Sequence, residues 1–166
     1  ITKSTAKSIA IDDSQYLLVN ELFDRSFEKG YDKFVQMAAN FRNLIHYIND
    51  LPEDDKIVYF LHPSEADSDG REKVKTIGKM LDEKLCVEGL FPIVIDARVQ
   101  QGEDGRPRHV FVTENDGTNL AKAPMGMLPP TMDNDLKAVD TAIREYWGMR
   151  PIVDPPEDDN EESDKY

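Results

Sequence analysis

The sequence predicts an α/β fold, a mainly parallel sheet carrying an added antiparallel hairpin. Two short apolar runs, Ile9-Ala10-Ile11 and Ile57 to Leu61, read as strands buried on both faces. Helical periodicity fills the interval between them, and a strand, helix, strand order supplies the long crossover that parallel strands require. Further on, two strand-like runs flank the turn Gly102-Glu-Asp-Gly105, which is the pattern of a hairpin.

The first run lies within Lys7 to Asp13 and ends on two adjacent carboxylates, Asp12 and Asp13. Ligands of open α/β sheets gather beyond the carboxyl ends of the strands, so these acids stand at a ligand-binding position. The competing reading is that one of them caps the helix starting near Ser14. Gln15 to Phe27 places Leu17, Leu18, Leu22 and Phe23 at helical spacings, with Gly30 to close the helix. Tyr31, Phe34, Val35, Ala38, Phe41, Leu44, Ile45 and Ile48 mark a second amphipathic helix, stopped by Pro52. Lys56 to Leu61 is the strongest strand signal, rich in β-branched and aromatic residues. It ends at His62-Pro63-Ser64-Glu65, which puts polar groups on the same sheet edge as the acid pair.

Ala66 to Lys75 reads as a polar loop and Thr76 to Leu85 as a short helix with basic members. Gly70 and Gly78-Lys79 do not form a phosphate loop, because seven residues separate the glycines and Met80 follows the lysine. Leu90 to Gln101 and Arg108 to Thr113 are the hairpin strands. Asn115 to Pro130 is turn-rich, with Lys122 and two methionines, Met125 and Met127, that look exposed. Asp133 to Trp147 is the last helix, apolar along Leu136, Val139, Ala142, Ile143, Tyr146 and Trp147, with Asp133 or Asn134 as its cap.

The 166 residues suffice for one domain with a core, and residues 151–166 are expected to be a disordered acidic tail. Net charge is −13; the tail from Asp154 onward holds seven acids against Lys165, contributing −6, and the remainder −7. Such a chain repels a phosphate backbone as a whole, which leaves nucleic-acid binding to a local basic patch. The longest apolar runs fall far short of the roughly 20 residues of a membrane span, and no secretory leader pattern opens the chain. A single cysteine, Cys86, excludes an internal disulfide, so a cytoplasmic location is expected. The first residue, Ile1, suggests a start inside a longer polypeptide.

The segments KSIAIDDSQYLL, KIVYFLHPSE, REKVKTIGKMLDEKLCVEGLF, VFVTENDGTNLAKAPMGM and DNDLKAVDTAIREYWG, in this order, resemble the carboxyl-terminal two-thirds of a phage-type ATP-binding protein. The family belongs to the AAA/RecA-like P-loop superfamily, and the resemblance spans Ser8 to Gly148. It implies a partial RecA-like ATPase core over residues 1–150, lacking the first strand and the Walker A loop that cradles the phosphates. It implies ATP and Mg²⁺ as cofactors, a homo-oligomer, single-stranded DNA as a partner, and a role in DNA recombination or replication. By this resemblance Asp12 holds Mg²⁺ through water, Asp13 activates the attacking water, His62 senses the γ-phosphate and Glu65 assists. Arg71, Lys75 and Lys79 would reach a neighbouring subunit's nucleotide or a nucleic-acid backbone. Without the phosphate cradle the chain by itself is expected to be inactive. The rival reading is a non-catalytic scaffold that binds a partner protein through the Met125 and Met127 loop and the acidic tail. A metal-dependent nuclease using Asp12, Asp13 and Glu65 is a third.

Overall fold

A computed structural model describes residues 1, 3–52, 54–77, 85–102 and 104–152. The chain opens with β1 (Ser8–Ile11), α1 (Gln15–Asp24), α2 (Asp32–Asn49) and β2 (Ile57–Phe60). Then come β3 (Ser64–Ala66), β4 (Glu72–Val74), a 3₁₀ turn at Glu88–Leu90, β5 (Asp96–Gln101), β6 (Pro107–Val112), β7 (Thr131–Asp133) and α3 (Leu136–Trp147).

The mainly parallel RecA-like sheet is not what forms. Among the described residues there are three small sheets: the parallel pair β1-β2, the antiparallel pair β3-β4, and the antiparallel three-stranded sheet β5-β6-β7. The reason lies just after β2. A further parallel strand would need a crossover, but the chain turns back at once through Asp67 to Gly70, and the Asp67 carboxylate accepts the backbone N–H groups of Asp69 and Arg71. The segment expected as a loop is therefore the hairpin β3-β4. The hairpin expected between Phe91 and Thr113 forms over a shorter span, in register from Asp96 opposite Val112 to Gln101 opposite Pro107, its first strand starting at Asp96. β7 adds to it, pairing Phe111 with Met132, so Asp133 lies in a strand, and Asp135 caps α3 by accepting from the N–H groups of Lys137 and Ala138.

Two clusters form the core, one on either face of β1-β2. Leu18 of α1 and Phe41 and Ile45 of α2 pack with Val87, Phe60 and Phe91. Val139 and Ile143 of α3 pack with Met127, Leu128, Ile57, Tyr59, Ile93 and Ile95. β2 thus sends Phe60 to one cluster and Ile57 and Tyr59 to the other, as the two-residue period of a strand demands. The helix spacing is equally direct, since the buried residues of α2 are Met37, Phe41 and Ile45, each one turn apart. Met127 belongs to this core at 7% exposure, whereas Met125 is 96% exposed, so only one of the two methionines is on the surface.

Residues 78–84 of the helix expected at Thr76 to Leu85, including Lys79, and the acidic tail beyond residue 152 lie outside the described residues. No helix of the described residues is long and apolar enough to cross a membrane.

Candidate functional site at the carboxyl end of the parallel pair

Asp12 and Asp13 follow the last residue of β1 and are both exposed. Neither carboxylate caps α1: the cap position is Ser14, and no side-chain capping bond forms there. Asp12 Oδ1 instead accepts the N–H of Asp13 at 3.0 Å. Asp13 itself has φ of 45°, the only positive φ at a non-glycine among the described residues. The left-handed region costs an L-residue about 1–2 kcal/mol, though Asp tolerates it better than most, and such outliers concentrate at functional sites.

Immediately behind the acids the tips of β1 and β2 are stitched together. Ser14, fully buried, donates its N–H to the Leu61 carbonyl at 2.8 Å, and its hydroxyl lies 3.1 Å from the same oxygen. Its Oγ is also 2.8 Å from His62 Nδ1, while His62 Nε2 is 2.7 Å from the Lys75 carbonyl. A carbonyl only accepts, so Nε2 carries the proton, and Nδ1 of the neutral ring accepts from the Ser14 hydroxyl. Burial pushes the His62 pKa below its ordinary value, opposed by the bond to the Lys75 carbonyl. The ring also stands 6.2 Å, centroid to centroid, from Phe41. His62 is thus a neutral strut joining the start of α1, the end of β2 and the exit from β4.

The remaining sequence-selected residues are placed differently. Glu65, on β3, lies 3.3 Å from Lys73 in a partly exposed ion pair. Lys75 enters through its main chain, accepting from His62 and donating its N–H to the Pro63 carbonyl at 3.0 Å. Arg71 donates its backbone N–H to Asp67 at 2.9 Å, and backbone hydrogen bonds of this kind hold the Asp67 carboxyl below the usual range. The described residues include no group of three or more His, Cys, Asp or Glu side chains able to hold a metal ion, so Asp12, Asp13 and Glu65 do not gather into one.

Sequence reasoning missed Ser14 as a partner of His62; the only available signal was its place directly after the acid pair. It also missed a buried polar network at the other end of the strands. There Arg144 of α3 donates to Asp140 at 2.5 Å, to the carbonyls of Asp55 and Lys7 at 2.9 and 3.0 Å, and to Ser8 Oγ at 3.0 Å. Asp140 in turn accepts from Ser8 Oγ and from the Tyr59 hydroxyl at 2.9 Å, and burial followed by that bond raises the Tyr59 pKa.

The donor set at the acid pair suits the metal half of a nucleotide site. Mg²⁺ keeps several waters and is commonly held by one or two carboxylates together with substrate phosphates, which two exposed adjacent acids can supply. The phosphate half would need backbone N–H donors from a glycine-rich turn of the Walker A type, and the sequence contains no such motif. Compared with protein-family models, curated proteins and solved structures, the chain has no significant match.

Proposed function

We propose that this chain is part of an ATP-binding protein of phage or prophage type acting in DNA recombination or replication, with Asp12 and Asp13 serving Mg²⁺ and the attacking water. The observation that supports this is the acid pair at the carboxyl end of the parallel pair. Both acids are exposed, neither is used as a helix cap, and Asp13 is held in a costly backbone conformation. The DNA role rests on the sequence resemblance alone. Lys75 and Lys79 are proposed as nucleotide-contacting residues on the same basis.

In this reading the protein's own contributions are positional. Asp12 orients the hydrated metal and Asp13 orients the water, while the neutral His62 strut fixes the spacing of the two strand tips. Because both His62 nitrogens are engaged, a γ-phosphate would reach His62 only by displacing Ser14 or the Lys75 carbonyl. His62 would then report the phosphate through a change of partner. Glu65 would join after release from Lys73.

The test is the intact mass of the native protein followed by Mg²⁺-dependent ATP titration calorimetry on the same sample. A chain longer than 18.9 kDa that binds ATP, with binding lost in Asp12→Asn, supports the proposal; ATP binding unaffected by that substitution rejects the site. A mass of 18.9 kDa with no binding favours the scaffold reading. That alternative is supported by Met125 and Phe27, each 96% exposed and suited to contact with another protein.

A further inference from the structure

Among the described residues, β2 is bonded along one edge only. The N–H groups of Ile57 and Leu61 donate to the Lys7 and Ile11 carbonyls of the β1 segment at 2.8 and 3.0 Å. Alternate residues of a parallel strand point their main-chain groups the opposite way, so Val58 and Phe60 turn theirs to the other edge. Neither finds a main-chain partner there among the described residues.

That edge lines a groove of about 1130 Å³, whose facing wall includes Ile93 to Ile95. The same alternation applies to the facing wall. Val94 exchanges both of its main-chain hydrogen bonds with Lys122, at 2.8 and 2.9 Å, so Ile93 and Ile95 direct theirs away from Lys122. They too have no main-chain partner among the described residues. Buried or half-buried peptide groups are paired in native proteins almost without exception, and here two strand edges border one groove with their polar groups unused.

We infer that the groove between β2 and residues 93–95 is a slot for one further extended strand, supplied from outside residues 1–166 and hydrogen-bonded on both edges. The side chains around it specify that strand. Phe60 and Phe91, 5.3 Å apart and edge-on, wall the slot on the side of α1 and α2, and Ile57, Tyr59, Ile93 and Ile95 wall it on the side of α3. A strand between them meets apolar surface on both faces and must be continuously apolar, as central strands are. The groove is also lined by Asp54, Asp55, Glu72, Glu88 and Asp96 against Lys56 and Arg150, so its charge is negative in sum and basic residues flanking the apolar run complete the match. Neither residues 78–84, GKMLDEK, nor residues 153–166, VDPPEDDNEESDKY, contain such a run. This inference is independent of the nucleotide reading.

Amide hydrogen exchange by NMR on the 166-residue chain tests it, with and without a short peptide of alternating Val and Ile flanked by lysine pairs. Alone, Val58, Phe60, Ile93 and Ile95 should exchange much faster than their neighbours Ile57, Leu61 and Val94. The peptide should slow all four, binding saturably, and methylating its alternate amide nitrogens should weaken binding about tenfold or more. Slow exchange of the four in the free chain, no saturable binding, or equal binding by the methylated peptide overturns the inference. Protection that rises with protein concentration and without peptide assigns the slot to a second copy of this chain and likewise overturns it.

Discussion

The two ends of the parallel pair β1-β2 carry similar residue types and treat them in opposite ways. At the amino end, Asp140 and Arg144 have side chains 8% and 3% exposed and are joined to each other, to Ser8 and to Tyr59, while Asp55 pairs with both Lys7 and Arg150. At the carboxyl end, Asp12 and Asp13 are exposed, and neither forms an ion pair among the described residues. Charge that is buried and saturated is structural, because its partners leave it no capacity for a ligand. Charge that is exposed, and placed where the backbone is strained to hold it, is what a binding site needs. The difference separates a structural end from the end at which the proposed Mg²⁺ site would lie.

The comparison is broken most directly at Arg144. Replacing it by Ala leaves Asp140 buried without its charge partner and strips donors from the Asp55, Lys7 and Arg150 carbonyls. Loss of one member of a buried pair costs about 3–5 kcal/mol, so Arg144→Ala should lower the urea midpoint severely or prevent folding. Replacing both charges, as Arg144→Met with Asp140→Leu, should recover part of that loss, because no unpaired charge remains buried. A single Ala variant within about 1 kcal/mol of the parent would show that the amino end is not structural in this sense.

The carboxyl end should respond less, and with the opposite logic. Asp13→Val forces a β-branched side chain into a left-handed backbone and should cost about 1–2 kcal/mol by urea denaturation. Asp13→Gly should be neutral or mildly stabilising, since glycine adopts this φ freely while its unfolded-state entropy offsets part of the gain. A Val variant as stable as the Gly variant would remove the argument from strain. Asp12→Asn, which the calorimetry above uses, should leave the midpoint nearly unchanged, as expected of an exposed residue.

The sequence displayed one half of this contrast and hid the other for physical reasons. Asp12 and Asp13 are legible because they interrupt an apolar run, and Phe41 and Ile45 because a helix face repeats every turn, whereas Met37, buried one turn earlier, is not among the periodic residues read from the sequence. β3, β4 and β7 are only three residues each, too short to show an alternation, and the tight Asp67 to Gly70 turn that replaces a crossover is held by local bonds, the Asp67 carboxylate to the N–H groups of Asp69 and Arg71 and the Gly70 N–H to the Asp67 carbonyl. This is why the parallel sheet was overestimated. Asp140 and Arg144 sit beside Val139 and Ile143, and as charged residues in an amphipathic pattern they carry no sequence signal of burial, although all four are buried. The partner of His62 Nε2 could not be read at all, since it is a main-chain carbonyl and every residue has one.

The smallest expected effect sharpens the carboxyl end further, through the protonation of His62. Its pKa in the folded chain lies below its ordinary value of 6.5 because burial disfavours the imidazolium, so below that pH the unfolded chain takes up the proton first. The stability associated with the neutral ring is therefore fully present above pH 6.5 and is lost as pH falls from there through the lower folded value. Protonation also converts Nδ1 from acceptor to donor, which turns the Ser14 hydroxyl toward Leu61 and changes the stitch between the strand tips without removing a charge partner. The urea midpoint of the parent should thus decline below pH 6.5, and His62→Gln should flatten that part of the profile while lying lower at neutral pH. An unchanged slope in His62→Gln just below pH 6.5 would reject this assignment, because carboxylates such as Asp55, held low chiefly by its bond to Lys7, lose their contribution only at lower pH, as it falls through and below their ordinary value of 3.8.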